Sequence, residues 1–242
     1  KALGGTCLLW GCIPTKALLY TAEMWAHIQH AAEFGIDLKN PAINWGQAQK
    51  HKQKIVDKGA NGIDFLMKKN KVTVLKGTGR IAAKGKVEIA GEGGKQLVDA
   101  KNIVIATGSV PKSLPNVKVD HKRVLNSDSV LALQEIPKSI IVLGGGAVGC
   151  EFASVFNHVG SETTIAEYLP HLLPIEDEDA SKELERYFKR RKINLELGAK
   201  VEKVEATDKG VRVTMMVGTE TKTIEADLLL SAVGRSPVTE GV

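Results

Sequence analysis

The sequence predicts an α/β fold in three layers around a central parallel sheet, built from two copies of one plan. Three observations predict it. A continuous apolar strand at 139–143 runs straight into a glycine loop and then a helical stretch. A series of β-run, hairpin, acid, apolar run and glycine-containing end occurs twice. Of the 242 residues 43% are hydrophobic and 25% charged, an ordinary globular composition that argues against a disordered chain.

The first copy opens with a β-rich run at 71–77 that ends on Gly77. A hairpin follows, 86–89 and 96–98 around the glycine-rich turn at 91–94, and then Asp99. The apolar run 103–106 leads into Thr107-Gly108-Ser109-Val110-Pro111. The second copy repeats the order: a run at 193–198, a hairpin of 211–215 and 221–224 around Gly218, then Asp227 and the apolar 228–230. It closes on Ala232-Val233-Gly234-Arg235-Ser236-Pro237. The copies agree in order and ending but not residue by residue, so two related domains is the economical reading.

Ahead of the second copy stands a nucleotide-loop pattern. The strand 139–143 is followed by Gly144-Gly145-Gly146-Ala147-Val148-Gly149, a helix over 150–156, a strand over 163–166 and the acid Glu167. Gly144 allows the tight turn, Gly146 lets the backbone approach a pyrophosphate, and Gly149 lets helix pack on strand. The N–H groups of Ala147 and Val148 at the helix start would meet the phosphates. Glu167 lies where an acid reads the ribose hydroxyls, which favours NAD over NADP because a 2′-phosphate would be repelled. A lone glycine motif is weak, but strand, loop, helix, strand and acid all arrive in order. This is a Rossmann-like pattern. The first copy lacks the matching strand, loop and helix, so the sequence is expected to be the interior of a longer one.

Cys7 and Cys12 present a second chemistry. In a regular helix five residues rise about 7.5 Å, whereas a disulfide tolerates Cα separations of only about 4.4–6.8 Å. A bridge therefore needs a distorted turn, which Gly11 and Pro14 permit. Lys16 and a helix expected over 15–32 would supply positive potential to a thiolate. Two further ligands at zinc-finger spacing are absent, and two structural thiols remain the plain alternative.

The stretch Gly4-Gly5-Thr6-Cys7-Leu8-Leu9-Trp10-Gly11-Cys12-Ile13-Pro14-Thr15-Lys16 resembles the redox-disulfide motif of the flavoprotein disulfide reductases. Residues 106–109, the glycine loop with Glu167, and residues 232–237 resemble other motifs of that family, so the resemblance covers essentially the whole chain. It implies two Rossmann-like dinucleotide-binding domains, with the NAD domain (138–230) inserted in a partial FAD domain (1–137, resuming at 231–242). It implies FAD and NAD as cofactors. Cys7 would be the interchange thiol and Cys12 the one against the flavin. Lys16 would pair with Glu151 at the flavin edge. Gly79, Thr107, Gly108 and Ser109 would contact FAD, while Val201 and Gly234 would line the NAD cleft.

The Cys-Ile-Pro-Thr-Lys ending and Glu167 resemble the branch that oxidises dihydrolipoyl groups. That implies a lipoyl domain of a 2-oxo acid dehydrogenase complex or glycine cleavage system as partner. It also implies a homodimer, in the cytoplasm or, in a eukaryote, the mitochondrial matrix. Mercuric or glutathione-type reductases, and a catalytically incomplete NAD-binding fragment, are the rivals.

Leu9-Trp10 departs from the family's usual Asn-Val and puts the disulfide's potential in question. Cys150 is read as helix–sheet packing. The six histidines form no metal spacing, and no metal is expected. The family's catalytic histidine and its dimerisation domain find no match in this sequence. The net charge of +5 sits partly on 189–192, after an acidic stretch, which reads as a solvated helix face rather than a nucleic-acid surface. No run reaches the roughly 18 apolar residues of a membrane span, and three cysteines point to a reducing compartment.

Overall fold

A computed structural model describes residues 2–241; residues 1 and 242, the outer bounds of the expected domains, lie outside it. The chain opens with a short helix, α1 (Gly5–Trp10), entered through Gly4 at φ 135°. It breaks at Gly11 and restarts as α2 (Cys12–Gln29). The helix expected over 15–32 therefore starts three residues earlier. Pro14 does not delay it, because first-turn N–H groups have no helical partner to lose. A long helix, α3 (Trp45–Lys69), follows, capped by Asn44, whose Oδ1 accepts Gln47 N–H at 2.9 Å.

Strands β1 (Thr78–Ala83), β2 (Lys86–Gly91) and β3 (Gly94–Asp99) form an antiparallel meander. Next come β4 (Ser109–Pro111), β5 (Val124–Asn126) and β6 (Ser139–Leu143). The glycine loop leads from β6 into α4 (Ala147–His158), then β7 (Glu162–Glu167), α5 (Glu178–Arg190) and β8 (Asn194–Leu197). A second meander, β9 (Ala199–Ala206), β10 (Val211–Val217) and β11 (Glu220–Ala226), precedes β12 (Leu228–Ser231) and β13 (Arg235–Pro237).

The central sheet has the order β5-β12-β6-β7-β8, with every neighbouring pair parallel. One face packs Ile140, Val142 and Leu230 against α2, α3 and α4 through Leu18, Ala22, Trp45, Phe152 and Phe156. The other packs Ile141, Leu143 and Leu229 against Val211, Val213 and Met215 of the second meander. These are the expected three layers, with a β-meander as one outer layer. Alternate residues of a doubly covered strand serve opposite cores, which is why β6 and β12 read as unbroken apolar runs. β5, ahead of the expected boundary at 138, belongs to this same sheet.

The repeat is visible in space. Each copy holds a three-stranded meander, where the hairpins alone were expected from sequence, and the two glycine-containing ends pair with each other as β4 and β13. The β-rich run 71–77 and the apolar run 103–106 of the first copy form no ladder among the described residues. Val104 is 87% exposed. A buried parallel strand needs neighbours on both sides; no described strand pairs with these runs, although Lys76 and Gly77 lie against Ala90 and Gly91 of β2. No described helix is long and apolar enough to cross a membrane.

α3 is docked by polar contacts as well as apolar ones. Trp45 Nε1 and Gln49 Nε2 both donate to Leu133 O at 2.9 Å, and Lys52 Nζ donates to Leu131 O at 2.7 Å. Burial pushes the Lys52 pKa below its usual value.

Candidate functional site

Each loop glycine has a separate structural reason. Gly144 sits at φ 104°, and a Cβ there would stand 2.5 Å from Ala232 O. A Cβ on Gly149 would stand 1.9 Å from Gly144 O and 3.3 Å from Val142 Cγ1, so helix, loop and strand meet with no room between them. A Cβ on Gly146 would meet nothing within 4 Å. Gly146 therefore faces open space at the N-terminus of α4, which carries no side-chain cap. Uncapped N–H groups and a partial positive charge converge there, an arrangement suited to an anionic phosphate.

That space is a cleft of about 850 Å³ at the carboxyl ends of β6, β7 and β12. Gly144, Gly146, Ala147, Val148, Glu167, Val201 and Gly234 all line it. Gly149 lies beneath the loop, and Glu151 faces away toward α2. The sequence reading passed over Lys112, Asn116 and Lys200, and the apolar wall of Tyr168, Leu169 and Ile175. The adjacency of Tyr168 and Leu169 to Glu167 was the available signal.

Glu167 is 8% exposed. Oε2 accepts the Gly145 N–H and Oε1 accepts Leu169 N–H at 2.8 Å. Each carboxylate oxygen retains acceptor capacity, so the acid organises the loop and can still receive a hydroxyl.

The cysteines lie across the Gly11 break. A Cβ on Gly11 would stand 3.0 Å from Thr6 O and 3.4 Å from Cys7 Cα, so glycine eases the close fold-back that brings Cys12 toward Cys7. Both are exposed free thiols. The Cys12 side chain, then burial and the Cys12 charge, push the Cys7 pKa up, against the Cys12 backbone and the Lys16 charge.

One turn into α2, Lys16 Nζ is ion-paired with Glu151 Oε1 of α4. The pair is not buried: the side chains are 56% and 29% exposed, so the cost of desolvation is not what holds it together.

Thr107, Gly108 and Ser109 lie against the C-terminal segment. Thr107 Oγ1 donates to Val238 O, and Gly108, at φ 82°, accepts Val238 N–H at 3.0 Å. Arg235 donates through Nε to Ser109 Oγ and through Nη2 to Ser109 O, both at 2.8 Å. Gly79 stands apart, in the first meander. Among the described residues no group of three metal-ligating side chains occurs.

A family model described as pyridine nucleotide-disulphide oxidoreductase matches residues 2–242. The mitochondrial dihydrolipoyl dehydrogenase of Pisum sativum is 39% identical across the whole chain, which covers 49% of that protein. A dihydrolipoyl dehydrogenase of Bacillus subtilis is 39% identical over 99% of the chain and 52% of its own length. Among solved structures, LpdA from Mycobacterium tuberculosis superposes with a TM-score of 0.90 at 26% identity, over 100% of this chain and 52% of that one. The HOCl-induced flavoprotein disulfide reductase RclA of Escherichia coli, as a Cu(II) complex, superposes at 0.81 with 26% identity, over 99% and 50%. The chain spans about half the length of the curated relatives it matches.

Proposed function

Since the chain belongs to the pyridine nucleotide-disulphide oxidoreductase family, we propose that it is the electron-transfer half of a dihydrolipoyl dehydrogenase. One observation carries the reading. The Lys16–Glu151 pair joins the helix that begins with Cys12 to the helix that rises from the glycine loop, so dithiol and cleft are built on two packed helices.

A dihydrolipoyl dithiol exchanges with a Cys7–Cys12 disulfide, becoming a disulfide itself and leaving two thiols, the state described above. The two electrons leave as hydride to NAD+, with one proton released. FAD, when bound, supplies the two-electron relay between thiols and nicotinamide.

This chain's residues do the rest. Cys7, exposed on α1, is the exchanging thiol. Cys12 opens α2, across the Gly11 break from Cys7. Lys16 is held in place by Glu151. Gly146 and the start of α4 would take the NAD diphosphate, and Val201 and Gly234 would flank the nicotinamide end. Glu167 would accept the ribose hydroxyls, which favours NAD over NADP. Gly79 and residues 107–109 would hold FAD; the open side of Gly108, where a Cβ would meet nothing within 4 Å, leaves its backbone accessible. A lipoyl domain would be the partner and a homodimer the assembly, in a reducing compartment.

A second reading is favoured by the exposed run 103–106 and by the engagement of Thr107 and Ser109 with the C-terminal segment. On it, the 242 residues bind NAD but do not turn over. A visible absorbance spectrum of the purified chain, followed by addition of dihydrolipoamide and NAD+, separates the two. Bound flavin and NADH formation support the enzyme. NADH binding without flavin or turnover supports the module, and absence of dinucleotide binding removes both.

A further inference from the structure

Gly145 is fixed on every side. Its N–H donates to Glu167, and its carbonyl accepts Leu173 N–H at 2.8 Å and the Cys150 Sγ at 3.3 Å. A Cβ there would meet Leu172 Cδ2 at 2.7 Å and Glu167 Cβ at 3.1 Å. A trans peptide is planar, so the carbonyl of Gly145 and the N–H of Gly146 point in opposite directions. Leu173 and Cys150 draw the carbonyl toward the interior; the Gly146 N–H is thereby turned toward the cleft that Gly146 lines.

We propose that Cys150 is a positioning residue of this cleft: through the Gly145–Gly146 peptide its thiol aims the Gly146 N–H at a phosphate oxygen of a bound dinucleotide. The inference rests on the dinucleotide reading above and deepens it. Cys150 is 6% exposed, so its contacts are with the interior alone. Burial first, then the charges of Glu167 and Glu151, push its pKa up to about 12, which keeps the thiol a donor at neutral pH. An aliphatic side chain would fill the same space between helix and sheet and leave the carbonyl one donor short.

The test compares wild type with Cys150→Val, Cys150→Ala and Cys150→Ser, titrating NADH, ADP-ribose and adenosine, while ¹H–¹⁵N spectra follow the Gly146 amide. Val and Ala both lack the donor, one filling the space and one emptying it, so either gives the comparison if the other fails to fold. The expected result is a loss of NADH and ADP-ribose affinity of about threefold to tenfold, the worth of one hydrogen bond. It comes with a shifted Gly146 amide, unchanged adenosine binding and recovery in Cys150→Ser. Unchanged affinities, or an equal loss for adenosine, overturn the proposal and leave Cys150 as packing. A wild-type chain that binds neither NADH nor ADP-ribose instead overturns the dinucleotide reading, and this inference with it.

Discussion

Lys16 of α2 and Glu151 of α4, far apart in sequence, form an ion pair close to the start of both helices. Because both side chains keep contact with water, the pair contributes about 1 kcal/mol or less to stability. Glu151→Gln should therefore shift the urea midpoint only slightly. A loss of several kcal/mol would mean that the pair is shielded from solvent and that the exposed geometry is mistaken.

The three cysteines should separate cleanly in a thiol titration. Cys7 and Cys12 are exposed, whereas Cys150 is buried with its pKa pushed up to about 12. Two thiols should react quickly with a disulfide reagent at pH 8 and the third only after denaturation. Three fast thiols in the native protein would contradict the placement of Cys150.

Gly146 and Gly149 should fail in opposite ways when changed to alanine. Gly146→Ala adds a methyl group to open space, so thermal stability stays near wild type while NADH affinity falls at least tenfold as the methyl occupies the diphosphate position. Gly149→Ala drives a methyl against Gly144 O and forces the backbone apart; a destabilisation of about 3 kcal/mol or more is expected. Calorimetry with NADH titration checks both.

His158, at the end of α4, has a buried Nδ1 with no partner among the described residues. Burial first, then Arg191 and His27, lower its pKa to about 4 from 6.5. The folded state thus resists a proton that the unfolded chain accepts. Its contribution to stability is complete above about pH 6.5 and is lost as the pH falls toward 4. The melting temperature of wild type should fall across that window more steeply than that of His158→Leu; parallel curves would exclude His158 as the cause.

What the sequence made legible was local. Strand, loop, helix and acid around Gly144 follow one another within a short stretch, and Gly144 and Gly149 have nearby steric reasons while Gly146 faces open space. The apolar wall of the cleft was not legible. Tyr168, Leu169 and Ile175 are displayed by a segment anchored from elsewhere, with Gly198 N–H on Leu169 O and Glu185 on Leu172 N–H. α3 was passed over although Asn44 caps it and Trp45, Ala48, Lys52, Val56 and Ala60 fall on one helical face. Its lysines and glutamines hid a stripe that includes a buried lysine. The runs 71–77 and 103–106 mislead in the reverse sense, since apolar character marks a strand only where partner strands exist.

The position of β12 governs the order in which this protein can be assembled. It is the last strand of the central sheet to be synthesised, yet it lies between β5 and β6. Until residue 231 has left the ribosome the sheet has an empty slot in its middle, flanked by two unpaired strand edges. The folding that completes the glycine loop must therefore wait for β12. A release even slightly early, at residue 227, would leave Ile141 and Leu143 without the strand beside them and offer both edges to a neighbouring nascent chain.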